Sequence, residues 1–440
     1  MRMIATLISR LVTGDAARPP EAEAEDGVIV PLHHLHRRNR SRVPAPLQVP
    51  KQTKTAAKPA LSIPCPDPTG EERSRDTHQT RGQRMARQED WAKLSATLAD
   101  ADMTCAMTEG GMPVAELLAF GARADVVQAA EHALLGGWPE PDAPLLDGIA
   151  QLEEVLAAHD GDAMIAAVVA LAHVDIGLAW RGNTRLAEVP RRNRDACDAH
   201  FDRARDILAA VCQAHTASPL LASALCAAGA TDAQDPATTI HAYERLLSLD
   251  PSNARAFRAM GLRLLPRRGG SLDALELHAR RMAARTHATW GAGGYTWAML
   301  DAIACDDGAC AQLDVEFFID GLHDIIARRP DQHVINTLAA YCANTMGTQI
   351  DGSDEAALVR AQIADCADWI VREHMTELHP MIWAHAARGF DQGLRIRCLD
   401  RFAAAGLADA HRILGDVFRR EIAAGHRIVF TEAGAETLSA

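Results

Sequence analysis

Several stretches carry residue types that could do chemistry. His374, Glu377 and His379 in HMTELH offer two imidazoles and a carboxylate close together. Set beside a metalloprotease box, the spacing is H-x-x-E-x-H rather than H-E-x-x-H. Pro380 also breaks the helix that would have to present both histidines on one face, so a metal centre is not expected. His33, His34 and His36 (HHLH) sit in a polar tail without a second ligand set at defined spacing. Trp290–Trp297, WGAGGYTW, has glycines that would admit a ligand, but no strand pattern precedes it and no G-K-[ST] follows, which excludes a phosphate loop. No serine stands in G-x-S-x-G, and the carboxylate pairs Glu153/Glu154 and Asp306/Asp307 suit solvated surface or helix N-termini. No catalytic residue, cofactor or metal is therefore expected.

The elements that would position a site are helices. The chain has 440 residues, 48% of them hydrophobic and only 4% aromatic, so alanine and other small side chains fill the apolar share. Such a composition suits closely packed helices. No stretch alternates apolar and polar residues convincingly, and glycine and proline gather between helical patterns. The expected class is all-α. Phe201, Ala204, Ile207, Leu208, Val211 and Cys212 form one apolar stripe, and Val315, Phe318, Leu322, Ile325 and Ile326 another. After Pro330 the pattern predicts helices over 334–346, 355–375, 380–390, 392–405 and 407–424.

Charge and composition divide the chain. Residues 1–90 carry 15 basic and 11 acidic side chains, and because the net charge is −13 the rest stands at −17. An acidic body is a poor match for phosphate, so nucleic acid is not an expected partner. Residues 1–90 read as a disordered, basic, proline-rich tail. Within residues 1–13, Ile4, Leu7, Ile8, Leu11 and Val12 share one helical face, which allows weak contact with a membrane surface. Arg10 interrupts that apolar run, so a secretory signal is not expected, and no uninterrupted apolar run approaches about 18 residues. Ten cysteines without a C-x-x-C pair read as thiols in a reducing compartment, hence a cytoplasmic location. Residues 91–428 read as the helical body and 429–440 as a C-terminal tail.

Three breaks in the body look alike: LEEVLAAHDGDAM with Gly161, YERLLSLDPSNAR with Pro251 and LHDIIARRPDQHV with Pro330. Each closes one amphipathic helix and opens another, the pattern of an irregular α-solenoid of antiparallel hairpins. At the second break, YERLLSLDPSN resembles the second-helix end of a tetratricopeptide repeat. Tyr243 falls at its aromatic position, Leu246 at its small-residue position and Pro251 at its terminal proline. In the next helix Phe257 matches the large anchor, Met260 and Gly261 the Leu-Gly pair, and Leu264 the tyrosine position. The resemblance implies a tetratricopeptide-like architecture in which Gly261 lets the two helices of a hairpin approach closely. His278 replaces an expected aromatic, and Pro266 with the RRGG turn lengthens the hairpin. The turn LLPRRGGS is similar to one in bacterial tetratricopeptide-like proteins that carry Pro-basic-Trp-Gly-Gly-Ser, with Arg268 where tryptophan would stand.

Two functional readings follow. The first is an interaction scaffold that binds a peptide or helix of a protein partner on a groove or at hairpin ends. Its expected ligand-facing residues are Arg267, Arg268, Gly269, Gly270, Trp290 and Tyr295. The second is an enzyme whose active site gathers scattered helix-terminal residues. A long open groove favours the first, and a deep pocket gathering buried His, Asp or Glu favours the second.

Overall fold

Each of the three breaks recognised in the sequence is followed by a side chain that caps the next helix. Asp162 accepts from the amides of Met164 and Ile165 at 2.9 and 3.1 Å. Asn253 accepts from Ala256 N at 3.2 Å and Asp331 from Val334 N at 3.0 Å. A glycine or proline stops one helix, and the acceptor satisfies a first-turn N–H of the next. The computed structural model describes residues 60–135, 145, 147–182, 188–229, 236–347, 353–390, 396 and 398–439. The amphipathic stretch at 1–13 and the His33–His36 cluster lie outside them.

These residues are mostly helical and fall into two units. The first is built on Gly70–Arg329. Its longer helices are α1 (Gly70–Arg87), α2 (Trp91–Met103), α3 (Val114–Ala133), α4 (Asp147–Ala158), α5 (Ala163–Arg181), α6 (Arg191–Cys212) and α7 (Pro219–Ala228). They continue with α8 (Pro236–Leu249), α9 (Ala254–Arg263), α10 (Leu272–Arg285), a short α11 (His287–Trp290), α12 (Gly293–Cys305), a short α13 (Asp307–Ala311) and α14 (Val315–Arg328). By length and composition α5 could cross a membrane, yet 78% of its most apolar window is buried inside this unit. It packs against α2, α3, α4, α6 and α7.

The second unit holds α15 (Gln332–Ala340), which runs on as a π-helical turn over Tyr341–Met346, then most of α16 (Asp354–His374), α17 (Pro380–Ala386), α18 (Leu399–Val417) and α19 (Arg419–Ala423). It also holds a small sheet of β1 (Leu61–Ser62), β2 (Arg427–Thr431) and β3 (Gly434–Leu438) in the order β1-β2-β3, with β1 parallel and β3 antiparallel to β2.

Three expectations change. The proposed tail at 429–440 contains a β-hairpin, so the chain is not wholly α. Ile428 and Phe430 alternate inward, and Phe430 meets Phe418 edge-on at 5.8 Å. The stretch read as disordered to residue 90 contains β1 and α1. Finally, 399–417 is one helix passing through Gly406 rather than two helices separated there. Gly406 is a point of contact: a methyl in its place would lie 2.1 Å from Pro380 O on α17.

Close backbone approach recurs in the first unit. Where α1 crosses α3, a methyl on Gly82 would meet Leu118 O at 2.1 Å, and one on Gly121 would meet Gln79 O at 1.9 Å. Helix α1 has only Glu71, Gln79, Gly82 and Met85 buried, so it docks through this crossing rather than through an apolar stripe. Gly261 brings α9 against α12 in the same way, 1.8 Å from Ala298 O for an added methyl, and not against α10, the hairpin partner that the resemblance implies. Tyr243, Leu246, Phe257 and Met260 are buried around that junction, while Pro251 is half-buried. Gly261→Ala is expected to destabilise the protein by about 2 kcal/mol or more in urea unfolding, because backbone must move. Gly415→Ala, in α18 with open space around it, is expected to stabilise by about 0.5–1 kcal/mol through helix propensity.

Candidate functional site

The turn between α9 and α10 begins with two buried leucines, Leu264 and Leu265, and then emerges. Pro266–Arg268 make a single 3-10 turn, Gly269 takes a left-handed φ of 84°, and Gly270 N donates to Leu265 O at 3.2 Å. A side chain at 269 would be strained, and a methyl at 270 would lie 2.1 Å from Leu264 O. Ser271 then caps α10 by accepting from Ala274 N at 3.1 Å. The turn is held by its own hydrogen bonds and projects Arg267 and Arg268, both exposed. Among the described residues Arg267 makes no ion pair or side-chain hydrogen bond, whereas the charge of Arg268 reaches the buried Tyr243 phenol.

Trp290 and Tyr295 do not join them on a surface. Trp290 is buried and donates from Nε1 to Pro251 O at 2.7 Å, with Trp297 edge-on at 6.0 Å. Tyr295 is fully buried; its hydroxyl donates to Glu276 Oε2 at 2.8 Å and accepts from Asp314 N at 3.3 Å. Arg280 lies 5.3 Å from the ring centres of both Tyr295 and Phe317. The glycines of WGAGGYTW let neighbouring helices close on the aromatics, which removes both rings from any ligand-facing role. In HMTELH, His379 Nε2 pairs with Glu377 Oε1 at 2.9 Å while His374 stands edge-on to Trp369 at 5.6 Å. Gln332 and Asn336 of α15 hold the intervening loop by its backbone. Among the described residues no group of three or more His, Cys, Asp or Glu is placed to hold a metal. All ten cysteines are free thiols.

Two clusters of the first unit escape sequence reasoning. Asp102, Cys105, Glu116, Asp250 and Asn253 line a cavity of about 10 Å³, room for one water molecule. Burial raises the Asp102 carboxyl and pushes Asp250 up to about 6. Asp102 nevertheless accepts from Ser218 Oγ and Leu220 N, each at 2.6 Å, and Glu116 accepts from Ser223 and Arg255. These bonds tie α2 and α3 to the segments around them.

The second cluster is a chain of buried groups joining α4, α5 and α6. Arg203 grips Glu153 with two hydrogen bonds, 2.7 and 2.6 Å. Glu153 Oε1 lies 3.0 Å from His173 Nε2, and His173 Nδ1 lies 2.8 Å from His200 Nδ1. His200 is fully buried and its Nε2 has no partner among the described residues. Burial pushes the Glu153 carboxyl up, but hydrogen bonds from Arg203 and His173 outweigh it and its pKa falls to about 2. Burial, with His173 next to it, drives His200 down to about 3, so it stays neutral. The arrangement can hold and exchange protons, but it is closed to substrate. Its members are separated by 20, 27 and 50 positions, and the only hint in sequence is His173 interrupting the apolar run of α5.

No family model, curated protein or solved structure matches this chain. Its functional reading rests on its own residues.

Removing Arg203 would leave the Glu153 charge buried and half-answered. Arg203→Ala is expected to cost about 3 kcal/mol in chemical unfolding at pH 7, and the Glu153→Leu/Arg203→Leu pair less than the sum of its single changes. Because the Glu153 pKa is lower folded than unfolded, its contribution is complete above 4.5 and is lost as pH falls towards about 2.

Proposed function

We propose that this chain is a protein-interaction scaffold, an irregular tetratricopeptide-like α-solenoid that takes an acidic peptide or helix at the Pro266–Gly270 turn. The observation that carries the reading is Arg267, exposed and unpaired among the described residues, on a turn fixed by its own backbone. Arginines of the flanking helices are committed to neighbours: Arg255 to Glu116, Arg258 to Asp301, Arg280 to Glu276 and Asp314, and Arg281 and Arg285 to Glu244. A displayed guanidinium suits a carboxylate through paired N–H donors. On a body of net negative charge, a cationic turn also gives an acidic partner one favoured landing point.

The recurring break with an Asx cap supports the repeat-like reading. The free thiols agree with a reducing, cytoplasmic setting. The aromatic half of the surface expected from sequence is absent, so recognition at this turn is electrostatic. It therefore weakens with salt. Quantitative affinity capture with the full chain is expected to lose its specific partner at least tenfold on Arg267→Glu/Arg268→Glu, with the melting curve unchanged. Retention of the partner by that variant excludes the turn as the binding site.

A further inference from the structure

The Glu153–His173–His200 chain ends inside the protein on a ring nitrogen without a partner among the described residues. The form that satisfies most bonds has His173 Nε2–H donating to Glu153 and His200 Nδ1–H donating to His173 Nδ1. The lone pair of His200 Nε2 is then bare. A proton taken up at that nitrogen puts a second cation near Arg203, against the one carboxylate of Glu153, on a ring pair with almost no exposure to solvent.

We propose that Glu153, His173 and His200 form an acid-sensitive latch, which holds α4, α5 and α6 together at neutral pH and opens more readily in acid, where the His200 imidazole of the opened form takes up a proton. Helix α4 is the element with least to hold it otherwise, since only Ile149, Leu152 and Glu153 are buried along it. Its carboxylate is the point where α5 and α6 both attach.

The surrounding elements bring other titratable groups. From α3 come Arg123, paired with Asp175 of α5 at 2.7 Å, and Glu131. From α2 comes Asp102, from α7 Cys226, and α6 itself adds Cys212 and an Asp206 close to Arg203. Their signs differ. His200 is held at about 3 against an ordinary 6.5, so between those values the opened form binds a proton that the closed form refuses, and opening becomes easier as pH falls. Burial, with Asp175 second, pushes Glu131 up to about 7, and burial also raises Asp102. Those carboxyls take their proton first in the closed form and so oppose acid unfolding. Release of α4–α6 and unfolding of the whole unit therefore have different pH slopes.

Hydrogen–deuterium exchange of the full chain, corrected for intrinsic rates, separates the two. From pH 6 to 5, protection in residues 147–158 and 191–212 is expected to fall by up to about tenfold, one proton's worth. Protection in 293–305 is expected to stay level, and His200→Phe to abolish the difference. Protection independent of pH in 147–158 and 191–212 overturns the latch, and so does an equal loss in 293–305. Should His200→Phe fail to fold at pH 7, nitrogen-15 spectra of the wild-type imidazoles decide. A neutral His200 at pH 5 supports the latch, and a His200 that titrates near 6.5 in the folded chain overturns it.

Discussion

Helix α5 is enclosed along most of its length, and an ionisable group buried near the middle of such a helix needs a partner. It carries two ionisable groups near its middle. His173 is answered through Glu153 by α4 and through His200 by α6, and Asp175 is answered by Arg123 of α3. Burying such groups without partners would cost several kcal/mol each, so the neighbours of α5 are constrained in register as well as in apolar surface. Packing alone would allow α6 to slide along α5 by a turn. The requirement that Arg203, Glu153, His173 and His200 meet in series, each link 3.0 Å or shorter, permits far fewer placements.

A second constraint acts through the absence of side chains. At Gly82 with Gly121, at Gly261 and at Gly406, helices touch backbone to backbone, at distances no Cβ would tolerate. Such contacts gain dispersion from many atoms in a small area and need no apolar stripe. They explain how α1, a strongly polar helix, can pack on α3. They also explain why a chain so rich in alanine and so poor in aromatics builds well-filled cores, with residues such as Trp180, Phe201, Trp290 and Trp383 as its large buried side chains.

The charged groups sort by the same rule. Inside the first unit Glu153 and Asp301 are paired and Asp250 is protonation-shifted, and near the α9–α12 junction Arg255, Arg258, Arg280, Arg281 and Arg285 are matched to acids. The turn after α9 is different because its backbone satisfies itself: Gly269 and Gly270 supply the conformation and Ser271 closes the next helix. Nothing in the turn needs Arg267 for folding. A side chain released from structural duty on a rigid support is where binding is cheapest in conformational entropy.

Much of the helical layout was legible in the sequence. Apolar stripes at 201–212 and 315–326, the breaks at Gly161, Pro251 and Pro330, and the turn chemistry of Pro266–Ser271 all depend on neighbours a few positions apart, and such local signals survive in a single chain. The C-terminal hairpin was legible in principle through the alternation of Ile428 and Phe430, but five residues are too few to outweigh a helical background. Helix α1 was not, because its docking depends on Gly121, some 39 positions from Gly82. The placement of Trp290 and Tyr295 in the core was equally hidden, since an aromatic beside glycines can face a ligand or a neighbouring helix, and only the neighbour decides. So too with His173 and His200: each looks like an isolated histidine on its own helix. Their meeting is a property of how α4, α5 and α6 are stacked, because desolvation and hydrogen bonding between distant residues exist only once the chain has brought them together.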